Sequence, residues 1–355
     1  MAKTYKIATI PGDGIGVDIT DAAIQVLKKL SDASGSFQFE FTNFDWSSKT
    51  YKERGYYIPE DGIEQLKKFD AIYFGAVGWP DVPDHISLWG LMLPLRNSLC
   101  QYVNVRPTRI IPGTSSPLAN CKPGDLDWVI IRENSEGEYA GHGGETHTYY
   151  DNAVATDVSI YTQVGIERIM RFAFETAKSR PRKKLTMVTK SNAQRHGMVL
   201  WDRIFNYIKK EFPEVETDKM LVDAMTVRMV LQPSSMDTIV ATNLHADILS
   251  DLAAALSGSI GIAPSSNLDP TRKNPSMFEP IHGSAPDIAG KGIANPVGAF
   301  WSAAEMVEWI GEKDAAAKLM KAIETVTEAG VKTKDLGGSK NTKEVTDAIC
   351  AEIGK

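Results

Sequence analysis

Three aspartates carry the sharpest chemical signal in this 355-residue chain. Asp247 and Asp251 stand at i and i+4, so on a helix they share one face, and Asp223 closes the apolar run Met220-Leu221-Val222. Carboxylates from two segments make a hard-oxygen set suited to Mg2+ or Mn2+, with water and substrate completing the shell. Spacing alone leaves open the alternative that the pair is solvated helix surface. Arg96, Arg106 and Arg132 lie in mostly apolar surroundings, where planar guanidinium forks suit a bidentate grip on carboxylate and equally suit structural ion pairs. Lys190 follows the strand-like Lys184–Val188 and becomes a base where neighbouring charges lower its pKa; alone it reads as surface. Tyr139, at the end of Arg132-Glu133-Asn134-Ser135-Glu136-Gly137-Glu138-Tyr139, can hand a proton to a carbanion, although most tyrosines only pack. A stretch rich in Gly, Pro and small residues, Glu279 to Pro296, offers backbone N–H groups to phosphate.

The elements that must position these groups alternate between β-type and helical patterns, which predicts α/β layers. Strands are expected at Lys6–Ile10, Phe37–Phe44, Ala71–Gly75, Trp128–Arg132, Lys184–Thr189, Met220–Ala224 and Thr238–Thr242. Helices are expected at Asp18–Leu30, Ile63–Lys68, Gln163–Ser179, His196–Phe212 and Asp247–Leu256. After the first strand comes Pro11-Gly12-Asp13-Gly14-Ile15-Gly16, which invites a dinucleotide-binding reading. The spacing is G-x-G-x-G, and position 17, where the fingerprint needs its third glycine, is Val. A tight turn beside an active site is the better expectation.

Composition bounds the partners. A formal charge of -6 gives no basic stripe for nucleic acid, so an anionic substrate must be caught by local arginines. Cys100, Cys121 and Cys350 show no C-x-x-C spacing, which points to reduced thiols. No apolar run reaches the roughly 18 residues of a membrane span, and the N-terminus runs into a strand without a leader pattern, so the expected compartment is the cytoplasm.

Taken in order, PGDGIG, QYVNVRP, RENSEGEY, TKSNA, VDAM, ADILSD and EPIHGSAPDIAGKGIANP resemble the β-decarboxylating dehydrogenase family, which includes isocitrate, 3-isopropylmalate and tartrate/D-malate dehydrogenases. The likeness spans nearly the whole chain, and SLWG with QYVN and ENSEGEY looks most like the tartrate/D-malate subgroup. It implies the isopropylmalate dehydrogenase-like two-domain α/β fold, not a standard Rossmann fold. Residues 1–101 and 258–355 would form a large discontinuous cofactor domain, and residues 102–257 a second domain. It implies that Arg96, Arg106 and Arg132 bind substrate carboxylate and that Asp223, Asp247 and Asp251 surround Mg2+ or Mn2+. Lys190 would be the base and Tyr139 the acid, while His282, Gly283, Ser284, Ala285, Asp287 and Asn295 would hold the adenosine end of NAD.

In such enzymes the lysine and one aspartate cross a homodimer interface, so the active sites are shared; a K+ requirement stays open. The implied reaction is NAD-linked oxidation, with or without β-decarboxylation, of a small 2-hydroxy dicarboxylate, tartrate or D-malate. 3-Isopropylmalate or isocitrate dehydrogenase, and a noncatalytic regulatory subunit, are the alternatives. Substrate choice is expected in a loop, Asp84–Leu95, ahead of Arg96, where bulky Trp89 would crowd a longer substituent.

Overall fold

The computed structural model describes residues 2–355. Twelve strands appear: β1 (Lys3–Gly12), β2 (Phe37–Asn43), β3 (Ala71–Ala76), β4 (Val103–Arg109), β5 (Asp127–Glu133), β6 (Gly137–Thr146), β7 (Val154–Ile160), β8 (Lys184–Thr189), β9 (Glu216–Leu221), β10 (Thr238–Ala241), β11 (Pro264–Leu268) and β12 (Ser276–Pro280). Ten of them form one sheet in the order β2-β1-β3-β12-β11-β4-β5-β10-β8-β9, while β6 and β7 form a separate antiparallel ribbon. The two wings of the sheet are parallel, and the pairs β12/β11, β11/β4 and β4/β5 at its centre are antiparallel. That order is not a Rossmann order.

Buried parallel strands read as continuous apolar runs, and β3 (AIYFGA) is buried throughout. The first helix, Ile15–Ser34, buries Ile15, Ile19, Ala22, Ala23, Val26, Leu27 and Leu30, a stripe at helical spacing. It ends where Gly35 turns left-handed and its N–H caps Ser31 O. Among the described residues no helix is long and apolar enough to cross a membrane, and the three cysteines are free.

Two local expectations change. The strand expected at Met220–Ala224 stops at Leu221, and Asp223 sits in the first turn of the helix Val222–Leu231, where the helix dipole favours a carboxylate. The expected loop at Asp84–Leu95 is helical: a turn at Asp84–Ser87, a π-type turn at Leu88–Met92 and a helix at Leu93–Ser98. Leu91, Met92 and Leu95 fall at helical spacing and are buried, so they pull the segment onto the core. The β6–β7 ribbon escaped sequence reading because GEYAGHGGET has four glycines and no apolar alternation.

The PGDGIG segment is the expected tight turn. Gly12 and Gly14 have φ of 70° and 57°, and a Cβ would lie 1.9 Å from Ala76 O at Gly12 and 2.0 Å from Ser284 O at Gly14. Only glycine lets the turn approach both backbones. Gly14→Ala is therefore expected to lower unfolding free energy by about 2–3 kcal/mol in denaturant titrations. Gly35→Ala, left-handed but with nothing within 4 Å of its Cβ, is expected to cost only about 1 kcal/mol. Equal costs would show that backbone angle, and not the approach to Ser284, requires Gly14.

Candidate active site

Arg106 on β4, Arg132 on β5 and Arg96 at the end of the Leu93–Ser98 helix are buried, at 5%, 2% and 5% exposure. A buried guanidinium must find acceptors. Arg132 Nε and Nη2 both donate to Asn243 Oδ1 (3.0 and 2.6 Å), and its Nη1 donates to Asp247 Oδ1. Arg106 donates from Nε to Asn104 Oδ1 (2.7 Å) and from Nη1 to Ser250 Oγ (2.6 Å) and Asp247 Oδ1 (3.3 Å). Arg96 Nη2 donates to Glu279 Oε1 at 3.1 Å, while its buried Nε has no partner.

Asp247 lies on the helix Asn243–Ser257 and accepts Tyr139 Oη on its second oxygen at 3.1 Å. Burial pushes its carboxyl up, but Arg132, Arg106 and Arg96 outweigh burial and hold it below the usual range. Asp251, one turn on, is pushed up by burial; Arg106 opposes, with Nη1 4.0 Å from Oδ1. Burial, then the charge of Asp247, raises the Tyr139 phenol, so it stays protonated at neutral pH. Burial and the neighbouring guanidiniums depress Arg132.

Lys190 and Asp223 form a separate pair, Nζ to Oδ1 at 2.5 Å, with the hydrogen bond from Lys190 lowering the Asp223 pKa. The structure thus joins Arg96, Arg106, Arg132, Tyr139, Asp247 and Asp251, and leaves Lys190 with Asp223. Among the described residues no group of three His, Cys, Asp or Glu side chains is arranged to hold a metal. Asp247 and Asp251 supply two hard oxygen donors on one helix face. They fit part of a divalent-cation shell and need a further ligand from outside this cluster.

Apart from this cluster, a cavity of about 760 Å3 is lined by Ile15 of the glycine turn and by His282, Gly283, Ala285, Asn295, Lys334 and Asp335. His282 Nε2 is buried without a partner while Nδ1 meets Gly283 O at 3.0 Å. Burial holds this imidazole below its ordinary pKa, so a neutral ring offers its free nitrogen to a ligand. That orphaned atom and a largely apolar lining that includes Ile15, Ile260, Ile288 and Ile293 fit the flat adenosine end of a dinucleotide. Ser284, by contrast, donates its hydroxyl to Gly78 O (2.5 Å). Asn295 spends its amide on Asp335 Oδ2 and Val297 N–H. Asp287 is exposed between the lining residues Ala285 and Ile288.

Several site residues had escaped sequence reading. Asn104 lies two positions from Arg106 on one strand face, and Asn243, Asp247 and Ser250 repeat at i, i+4 and i+7 on one helix face. Those periods were available signals. Lys334 and Asp335 come from a distant segment and carried no local pattern, and Glu279 was read only as the start of the Gly/Pro-rich stretch.

The comparisons with known proteins agree in kind. The family model described as isocitrate/isopropylmalate dehydrogenase matches residues 6–349. A probable tartrate dehydrogenase/decarboxylase of Agrobacterium vitis is 64% identical over 99% of this chain and 98% of its own. The D-malate dehydrogenase (decarboxylating) of Escherichia coli strain K12 is 48% identical over 99% of both chains. Among solved structures, isocitrate dehydrogenase from Methylococcus capsulatus superposes with a TM-score of 0.90 at 35% identity, covering 99% of this chain and 100% of that one.

Asp247→Asn is expected to fold but to lose about 1–2 kcal/mol at neutral pH, a figure discounted for the carboxylate's partial exposure. Because the folded pKa is depressed, that stabilisation is present above the ordinary aspartate range and fades as pH falls through the folded value. Melting temperatures of the two proteins should therefore converge in acid. A gap that persists unchanged as the pH falls through the carboxylate's titration would contradict a charge-based role.

Proposed function

The chain belongs to the isocitrate/isopropylmalate dehydrogenase family, and from that premise we propose that it oxidises a small 2-hydroxy dicarboxylate, tartrate or D-malate, using NAD and Mg2+ or Mn2+. The observation that carries this reading is the convergence of Arg106, Arg132 and Tyr139 on Asp247, with Asp251 one turn on and the charge of Arg96 close by. Guanidiniums in low dielectric hold carboxylates strongly, and the unpartnered Arg96 Nε is a donor in reserve for one. The substrate names borne by the relatives support the choice of diacid. Trp89, whose ring lies against the Gly141 backbone two residues beyond Tyr139, is the residue that would crowd a longer C3 substituent in this reading.

A divalent cation at Asp247 and Asp251 would supply Lewis-acid polarisation of the hydroxyl and then of the enolate oxygen, and NAD would accept the hydride. The arginines orient the two carboxylates. Lys190 is the base of this reading: in its neutral form it would accept the hydroxyl proton, directly or through a relay. Tyr139, kept protonated by its buried, anionic surroundings, returns a proton to C3 after CO2 leaves. Asp287 favours NAD over NADP, since its carboxylate accepts hydrogen bonds from ribose hydroxyls and repels a 2′-phosphate.

The missing cation ligand and base come, in this reading, from the Asp223 and Lys190 of a second copy across a homodimer. Val227 and Leu231 beside Asp223, and Ile248 beside Asp247, are 56%, 72% and 55% exposed. Such an apolar face at the site suits a second subunit. We take residues 1–101 with 258–355 as the cofactor domain and 102–257 as the second, in keeping with β12 pairing to β3 across the sequence.

With Mn2+ and NAD, the purified protein is expected to reduce the cofactor with D-malate or tartrate and poorly with isocitrate or 3-isopropylmalate. Tyr139→Phe is expected to cost D-malate decarboxylation about tenfold or more over tartrate oxidation, because only the former needs a proton on carbon. No turnover across the panel would favour a noncatalytic subunit, and equal losses would place Tyr139 before the pathways diverge.

A further inference from the structure

The glycine turn between β1 and the first helix contains a buried carboxylate that the reaction does not use. Asp13 is 5% exposed and has no Lys, Arg or His partner among the described residues. Its charge is balanced by donors alone. Oδ1 accepts Ser48 N–H (2.8 Å); Oδ2 accepts Ser48 Oγ (2.6 Å) and Gly78 N–H (2.9 Å). Ser48 N–H belongs to the first turn of the helix Ser48–Arg54, whose dipole favours an anion.

Each contact leads onward. Gly78 O accepts the Ser284 hydroxyl, and Ser284 O accepts Ile15 N–H at 2.7 Å, so Gly78 ties Asp13 to the wall of the 760 Å3 cavity. In the other direction, Ser48 Oγ donates to Asp13 and is therefore the acceptor for Tyr57 Oη at 2.8 Å. The Tyr57 ring stacks on Tyr51, with centroids 4.8 Å apart, and lies under Gly90, where a Cβ would sit 2.8 Å from it. Gly90 is the middle of the π-type turn Leu88–Met92, and its neighbour Trp89 reaches Gly141, two residues beyond Tyr139.

We propose that Asp13 is a positioning residue that locks the cofactor-side loop and the Leu88–Met92 turn into one body through Gly78 on one side and Ser48–Tyr57 on the other. Binding of the dinucleotide then orders the segment leading to Arg96, and the diacid binds better for it. Every bond in this chain runs donor to acceptor toward one carboxylate, so Asp13→Asn, nearly isosteric, turns an NH2 toward a donor and breaks it. This extension rests on the cofactor and substrate reading given above.

The test uses the full-length protein with NAD and D-malate as probes. Asp13→Asn is expected to weaken NAD binding about tenfold and to raise the KM for D-malate. Tyr57→Phe keeps the ring stack and loses one hydroxyl; it is expected to leave the NAD Kd within about twofold while raising the D-malate KM severalfold at unchanged kcat. Amide exchange of the ligand-free protein gives an independent readout. Asp13→Asn should speed exchange both at Gly78 and across Leu88–Met92, whereas a local role would confine the change to Gly78 and overturn the link. If Asp13→Asn fails to fold, Ser48→Ala, which removes only the hydroxyl relay, carries the exchange test at Leu88–Met92, and unchanged exchange there overturns the link. Wild-type protein that binds no NAD would sink the cofactor reading, while the exchange result still decides the link.

Discussion

Burying three guanidinium groups together is the constraint from which the rest of this site follows. Like charges in low dielectric repel, and each brings five donors that need acceptors. Asp247 supplies the central countercharge, touching Arg106 and Arg132 at once. Neutral amides do the rest. Asn243 closes the Arg132 fork, and Asn104 takes Arg106 Nε. Asn104 then donates to Asn267 Oδ1 (3.0 Å), and Asn267 donates to Glu279 Oε1 (2.7 Å), the oxygen that also receives Arg96. One continuous polar chain thus runs from Arg96 to Arg106 through three strands.

That chain explains the antiparallel centre of the sheet. In register, Asn267 of β11 faces Asn104 of β4, and Asn104 faces Arg132 of β5. Neighbouring strands thereby set the polar residues in a row across the sheet, and the parallel wings carry the flanking loops to either side. Glu279 is the penultimate residue of β12, which ends at Pro280, and the segment that lines the His282 cavity follows from Ile281. The arginine cluster and the cavity lined by His282 are therefore consecutive along one strand and its exit.

Much of this was legible in the residues. Helical and strand periods located the Gln163–Ser179 helix and the β8 strand to the residue. The arginines and the Asp247/Asp251 pair stood out by type and spacing, which equally suited structural ion pairs and a solvated helix face. What could not be read was anything set by pairing between distant strands. Asn267 and Glu279 acquire meaning only through β11 and β12, and the glycine-rich β6 has no pattern to show. Asp223 looked like a strand end because Met220-Leu221-Val222 is apolar, yet a helix dipole claims it. Asp13 had no signal at all beyond its place in a turn.

In the proposed function, Asp247 and Asp251 face a site for a divalent cation that binds together with a diacid held by the arginines. Calorimetric titration of Mn2+ into the protein, with and without D-malate and with Asp251→Asn alongside, tests it most directly. The diacid is expected to tighten Mn2+ binding by about tenfold or more, and Asp251→Asn to weaken it by at least that factor. Mn2+ affinity indifferent to both the diacid and the substitution would contradict it.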